Sequence, residues 1–295
     1  LRGRLGANVD PATELAACVG PKEMVTGLPH MLRLRDPGKD TVLHPAISYP
    51  SYAMGAALAG CRAVPVAVDG DNQIDLDAID PGDAARALCL WVNSPGNPAG
   101  GLDDLEAAAA WGRRHGVLVV SDECYVEFTW GDRPRTILTS GCEGVLAVHS
   151  LSKRSNLAGV RAGFYAGDRG TVAYLREVRK HAGLMVPGPV QAAAVVAWGD
   201  QEHVEHQRAV YLRRLTLLAE ACEALGAPAP LPAGGFYLWV RAPGDDAWGL
   251  TRRLAAEVGL VVSPGEFYGD AGSAHVRIAA VQPDDRIELV RDRVG

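Results

Sequence analysis

The chain has 295 residues, 48% of them hydrophobic and 22% charged, enough to bury a core in one large domain or two smaller ones. A formal net charge of -6 gives no electrostatic reason to bind nucleic acid or an anionic membrane surface. No apolar run approaches the roughly 18 residues a membrane span needs, and the opening LRGRLGANVDPATEL has neither an apolar signal core nor a Met. The six cysteines are scattered without a C-x-x-C pair. That argues against a metal site or a disulfide framework, and for reduced thiols in a cytoplasmic protein.

Short apolar runs predict strands at Ala63–Val68, Ala87–Asn93, Val117–Asp122, Val145–Ser150 and Ala162–Ala166. Helical patterns separate several of them, as in the alanine-rich Leu102–His115. Strands joined by crossover helices predict an α/β fold with a mainly parallel sheet, whose ligand crevice lies beyond the carboxyl ends of the strands. Near residue 200 the texture changes. Gln201–Leu225 reads as one long helix, followed by the loop GAPAPLPAGG, the run FYLWV, a helical stretch Ala247–Val258, the run LVVSPG and the strand AHVRIAA. The expected organisation is a large α/β domain over residues 1–200 and a smaller α+β domain over 201–295, joined through the long helix 201–225.

Chemistry concentrates at strand ends. Only Lys22, Lys39, Lys153 and Lys180 supply side-chain amines, so amine chemistry has a short list of candidates. In VHSLSKRSNLAGVRAGF (148–164) a strand runs into a polar turn holding Ser150, Ser152 and Lys153, with Arg161 eight residues after the lysine. An isolated lysine in such a loop is an ordinary solvated cation. With hydroxyls and an arginine fork beside it, the same lysine suits a phosphate-bearing aldehyde: the amine condenses, and the other groups hold the phosphate dianion. In WVNSPGNPAGG (91–101) a Pro/Gly turn presents Asn97, although N-x-P alone is a turn signal. In VLVVSDECYVEF (117–128) an apolar strand ends at Asp122, with Tyr125 three residues on. Taken alone, Asp122 reads as a helix N-cap; beside the lysine motif it suits a protonated pyridine nitrogen.

The ordered set N-x-x-G-N-P, D-E-x-Y, S-x-S-K and G-x-R-x-G resembles the fold-type I pyridoxal 5'-phosphate (PLP) enzymes of the class I/II aminotransferase family, from about Ala17 to the C-terminus. Within that family, SDECY, LAVHSLSKRSNLAGVRAGF and RKHAGLMVPGPVQAA most resemble the N-succinyldiaminopimelate aminotransferases. The resemblance implies the PLP-dependent transferase fold, PLP as cofactor, no metal, small amino acid and 2-oxo acid substrates, and a homodimer. It implies Lys153 as Schiff-base lysine and proton shuttle, and Asp122 at the pyridine nitrogen. Tyr125 and Asn97 face the ring oxygen, and Tyr49 stacks on the ring, with Tyr52 the alternative. Ser150 and Arg161 hold the phosphate, with Ser152 a weaker candidate, and Arg277 in HVRIAA clamps the substrate carboxylate. Arg277 alone also fits a surface arginine at a strand end.

The phosphate loop of the family matches Gly20-Pro21-Lys22-Glu23, where Pro21 replaces a usual Ser or Ala and removes one amide donor. Ala99 replaces the usual threonine of N-P-T-G. Family members carry several tens of residues before the position that matches Leu1. The implied substrate pair is N-succinyl-L,L-diaminopimelate and 2-oxoglutarate. From charge alone, Arg154, Arg179, Lys180 and His181 are candidates to meet the extra carboxylates, and ordinary surface solvation explains them equally well. Other readings stay open at this stage: a different class I/II aminotransferase, a PLP-dependent C–S lyase, an aminotransferase-like sensor domain, or an inactive truncated relative.

Overall fold

The computed structural model describes residues 1–131 and 133–294. In chain order, helix α1 (Arg2–Leu5) precedes strand β1 (Leu15–Cys18), and α2 (Pro21–Arg35) leads to β2 (Thr41–Pro45). Next come α3 (Ser51–Leu58), β3 (Arg62–Val66), α4 (Pro81–Arg86) and β4 (Ala87–Asn93). Then follow α5 (Leu105–His115), β5 (Leu118–Asp122), β6 (Val145–Ser150), α6 (Leu151–Arg154) and β7 (Gly163–Gly167). Among the described residues these seven strands form one sheet in the order β1-β7-β6-β5-β4-β2-β3. The run β6-β5-β4-β2-β3 is parallel, while β7 and β1 pair antiparallel at one edge.

Strands β2, β4, β5 and β6 are buried on both faces, and the last three are nearly unbroken apolar runs, while the edge strand β3 is largely exposed. Strand alternation then sorts side chains between two cores. Leu90, Val92, Val119 and Val145 pack with Leu105, Ala108 and Trp111 of α5. Cys89, Trp91, Val120, Leu146 and Val148 pack on the other face with Met24, Val25 and Leu28 of α2 and Tyr52 of α3. Leu28 is fully buried, and its truncation to Ala would cost about 2–5 kcal/mol. By the same parity Asn93, Asp122 and Ser150, the last residues of β4, β5 and β6, lie on the α2 face. Parallel strands bring all three to one edge.

The remaining elements are α7 (Arg169–His181), α8 (Gly188–Gly199), α9 (Glu202–Ala224), β8 (Tyr237–Arg241), α10 (Ala247–Val258), β9 (Ser263–Pro264), β10 (His275–Ala279) and α11 (Asp284–Val294). A second, antiparallel sheet has the order β8-β10-β9. Leu238, Val240, Val276 and Ile278 share its inner face and pack with Leu215 and Leu218 of α9, Leu250 and Leu254 of α10, and Ile287 and Val290 of α11. The register pairs Tyr237 with Ala279 and Trp239 with Arg277, so these four share the opposite face.

Strands expected at Ala87–Asn93 and Val145–Ser150 and the helix at Ala247–Val258 have those limits. The other predicted elements differ by one to three residues at their ends, while β1, β2 and the helices other than α5, α9 and α10 have no counterpart among the ranges the sequence pattern marks. No helix among the described residues is long and apolar enough to cross a membrane.

Candidate active site

A cavity of about 550 Å³ opens at the carboxyl edge of β4, β5 and β6. Its floor is Asn93, Asp122 and Ser150; α2 contributes Pro21 and Lys22, the segment after β2 contributes Tyr49, and the second sheet contributes Tyr237 and Arg277. Asn97, Tyr125, Ser152, Lys153 and Arg161 complete the set, so every cofactor or substrate residue expected from the motifs lines this one cavity. Tyr52, the alternative to Tyr49, is the exception.

Lys153 stands on α6, whose start is fixed by Ser150: the Ser152 amide donates to Ser150 Oγ at 3.1 Å. Its ammonium lies 5.7 Å from the Tyr125 ring centre and 6.0 Å from that of Phe236. Burial lowers the Lys153 pKa; Arg277 and Lys22 push in the same direction, while Cys124 and Asp122 oppose it. An amine held this way loses its proton more easily than a solvated lysine and is correspondingly more nucleophilic.

Asp122 is held by two donors. The Cys124 amide reaches its Oδ1 at 3.1 Å and the Tyr52 hydroxyl its Oδ2 at 3.0 Å. Burial raises its pKa, and these two hydrogen bonds together with nearby Lys153 act against that rise. Tyr52 itself is fully buried, stacked on Trp91 with ring centres 5.0 Å apart. It therefore serves the carboxylate from within the core, whereas Tyr49 faces the cavity with Lys22 Nζ 5.7 Å from its ring centre.

The basic end of the cavity is built by close backbone approach. Gly20 has φ +75, and a Cβ there would collide with the Arg161 guanidinium. Pro21 takes the first position of α2. There its ring packs on Gly163, where a Cβ would lie 2.9 Å from Pro21 Cδ. Arg161 adopts φ 55 and donates to the Ala158 carbonyl at 2.8 Å. With Lys22, Ser150, Ser152 and the first turn of α2 alongside, this end suits a dianionic phosphate.

At the other end, Arg277 Nη1 donates to Asn97 Oδ1 at 2.9 Å. The guanidinium carbon lies 4.2 Å from the Tyr237 ring centre and 4.8 Å from that of Tyr268. Asn97 is placed in turn by Asn93, whose Oδ1 accepts the Asn97 amide at 2.8 Å and whose Nδ2 donates to the Asp122 carbonyl at 2.8 Å. Arg277 Nε is buried without a hydrogen-bond partner among the described residues, which suits a carboxylate ligand.

Sequence reasoning includes Asn93 in the N-x-x-G-N-P motif without giving it a role, and misses Tyr237 and the true place of Tyr52. The FYLWV run reads only as strand, and sheet register alone tells which of its residues face the cavity.

Two basic residues proposed for distal carboxylates are not available. Arg154 is 1% exposed and donates to Glu127, to the Ala197 and Asp200 carbonyls and to the Gln201 side chain. Arg179 is 3% exposed and is ion-paired with Glu23. Each is committed to joining elements: Arg154 ties α6 to the α8–α9 junction, and Arg179 ties α7 to α2. Lys180 and His181 are exposed beside Glu177 on α7.

An amine of lowered pKa, a buried carboxylate, a cationic and hydroxyl-bearing end, and an arginine with a free donor edge fit PLP and an amino acid in one cavity. The chain belongs to the aminotransferase class I and II family, whose profile matches residues 3–294. The family and its fold are PLP-dependent, which makes the chain a PLP-dependent transaminase. It is 43% identical over 302 residues to 4-dedimethylamino-4-oxo-anhydrotetracycline transaminase OxyQ of Streptomyces rimosus, covering 100% of this chain and 80% of that protein. It is 34% identical over 301 residues to LL-diaminopimelate aminotransferase of Aquifex aeolicus, covering 99% and 77% respectively. Among solved structures, a probable N-succinyldiaminopimelate aminotransferase from Thermus thermophilus is similar with a TM-score of 0.88 and 32% identity, over 99% of this chain and 80% of that one. Of one further relative's length the chain spans 65%.

Proposed function

We propose that the chain transfers the amino group of an α-amino acid to a 2-oxo acid, with a diaminopimelate-type donor and 2-oxoglutarate as acceptor. The observation that carries this reading is Arg277, held by Asn97 at 2.9 Å with its Nε free, in the same cavity as Lys153. A bidentate fork at that position takes an α-carboxylate and leaves the α-carbon to be oriented toward the amine.

In this reading Lys153, Asp122, Tyr125 and Asn97 hold the PLP ring and Tyr49 covers its face. Ser150, Ser152, Arg161 and the Pro21–Lys22 turn hold its phosphate. When bound, PLP supplies an electron sink for negative charge at the substrate α-carbon. Lys153 Nζ takes the proton from the donor's α-carbon in one half-reaction and delivers a proton to the acceptor's α-carbon in the other, and its lowered pKa suits it to both directions. Asp122 remains the counter-charge to the ring nitrogen, held by Tyr52 and the Cys124 amide. Arg277 fixes the carboxylate through both half-reactions, since each substrate carries one.

The diaminopimelate donor is supported by the Aquifex and Thermus relatives. A second reading, transfer to a polycyclic ketone, is favoured by the higher identity to OxyQ. Steady-state assays with L,L-diaminopimelate, its N-succinyl form and a tetracycline-type ketone, each with glutamate or 2-oxoglutarate, separate them. A kcat/KM for both diaminopimelates at least about a hundredfold below that for the ketone would overturn the first reading.

We also propose a homodimer, and a division into two domains near residue 200. The dimer is supported by α8 (Gly188–Gly199), which leaves Val195 and Val196 exposed, and by Met185, exposed in the segment before it. Sedimentation of the wild type and of a Val195→Asp/Val196→Asp variant tests it: a monomeric wild type is the contrary result.

A further inference from the structure

Tyr237 touches both ends of the site. Its hydroxyl lies 2.9 Å from the Tyr125 hydroxyl, and its ring supports the Arg277 guanidinium at 4.2 Å. It lines the main cavity and also an adjoining one of about 510 Å³, so it forms part of the wall between them. We propose that Tyr237 is a positioning residue with two separable duties: its ring sets the plane of Arg277, and its hydroxyl sets the proton of Tyr125. The inference rests on the reading that Tyr125 faces the cofactor's ring oxygen and Arg277 the substrate carboxylate.

Either hydroxyl can donate across this contact, and in the proposed arrangement Tyr237 is the donor. Of two facing hydroxyls only one donates to the other. When Tyr237 donates, the Tyr125 proton is released to point elsewhere, and a hydroxyl that accepts a bond becomes a better donor itself. Asn93, Asn97 and Lys153 line the same cavity, so the Tyr125 proton is directed into a polar space. Both phenols stay protonated, because burial raises the pKa of each. The ring duty follows from the register. Tyr237 and Ala279 are paired, and Arg277 lies two residues before Ala279 on the same face. The guanidinium therefore lies diagonally over the aromatic ring, where cation–π attraction holds it flat. A phenylalanine would perform the ring duty equally well, so the tyrosine hydroxyl is explained only by its partner Tyr125.

Two variants separate the duties. Tyr237→Phe keeps the ring and removes the hydroxyl; Tyr237→Leu removes both. The readouts are the pH titration of the bound cofactor's visible absorbance and the KM for amino donor against kcat. Tyr125→Phe serves as comparator, and borohydride trapping on Lys153 confirms loading in each protein. In Tyr237→Phe the absorbance midpoint is expected to rise by about half a unit, in the same direction as in Tyr125→Phe but by less, with KM within about twofold of wild type. In Tyr237→Leu the KM is expected to rise about tenfold, a loss comparable to one cation–π contact in a desolvated site. A Tyr237→Phe titration that superimposes on wild type, or equal KM increases in the two variants, overturns the proposal. A wild type that traps no cofactor on Lys153 overturns the underlying functional reading as well, so the two failures are distinguishable.

Discussion

The Tyr52 hydroxyl donates to Asp122 Oδ2 at 3.0 Å from inside the hydrophobic core, not from the cavity. Its ring, stacked against Trp91, has no freedom to follow the carboxylate, so the carboxylate is held to the tyrosine. Tyr52→Phe preserves the packing and removes one donor to a buried acid. The expected outcome is a stability loss of about 1 kcal/mol and a cofactor affinity reduced about threefold to tenfold. Denaturant unfolding and fluorescence titration of apoprotein with PLP check it; an unchanged affinity would show that the Cys124 amide alone orients Asp122.

Asp122 gives a stability prediction of definite sign. Burial raises its pKa above the ordinary carboxylate value. Between those two values the folded protein keeps a proton that the unfolded chain has lost. Stability therefore falls as pH rises from about pH 4 through the raised pKa, and stays lower above it. Asp122→Asn removes that penalty while keeping shape. At pH 7 the apoprotein variant is expected to melt at or above the wild-type temperature, by roughly 2 °C. Its cofactor affinity is expected to fall at least about tenfold. Calorimetry at pH 5 and pH 7 tests the pair of signs together.

Arg154 has the opposite signature. It is adjacent to Lys153 in sequence, yet its guanidinium is enclosed by Glu127 and the α8–α9 junction. Arg154→Met leaves the Ala197 and Asp200 carbonyls and the Gln201 side chain without their donor and Glu127 paired with Arg4 alone, a loss of about 3 kcal/mol in unfolding free energy. The ratio of kcat/KM for N-succinylated to unsubstituted donor is expected to remain that of the wild type. A changed ratio with unchanged stability would return Arg154 to the substrate.

Gly20 is required twice over: by its φ of +75 and by the Arg161 guanidinium where a Cβ would stand. Gly20→Ala is expected to displace Arg161 and weaken PLP binding about tenfold, matching a strain of about 1–2 kcal/mol. Inorganic phosphate should compete with the cofactor less well in the variant than in the wild type. Equal competition would mean that the loop does not hold the phosphate.

The cavity is legible in the sequence because its floor is local. Asp122 and Ser150 end buried strands and Lys153 comes three residues after the second, and a strand's end is marked by the first polar residues that close an apolar run. Parallel pairing then brings separate motifs to one edge. What depends on register is not legible. Tyr237 and Trp239 look like any aromatic strand until their pairing with Ala279 and Arg277 fixes a face. Arg154 and Arg179 mislead for a related reason, since charge in a sequence does not reveal burial, and both guanidiniums are paired inside the fold. β1 escapes notice because it is a four-residue, half-exposed edge strand, and β2 because TVLHP ends in a histidine and a proline.

The most direct test is chemical and uses the scarcity of lysine. Protein incubated with PLP, reduced with borohydride and digested is read by mass spectrometry at the four side-chain amines, Lys22, Lys39, Lys153 and Lys180. A single reduced adduct on Lys153, abolished in Lys153→Ala with no transfer to Lys22 across the same cavity, is the expected result. An adduct confined to Lys22, or none at all on protein that remains folded, contradicts it.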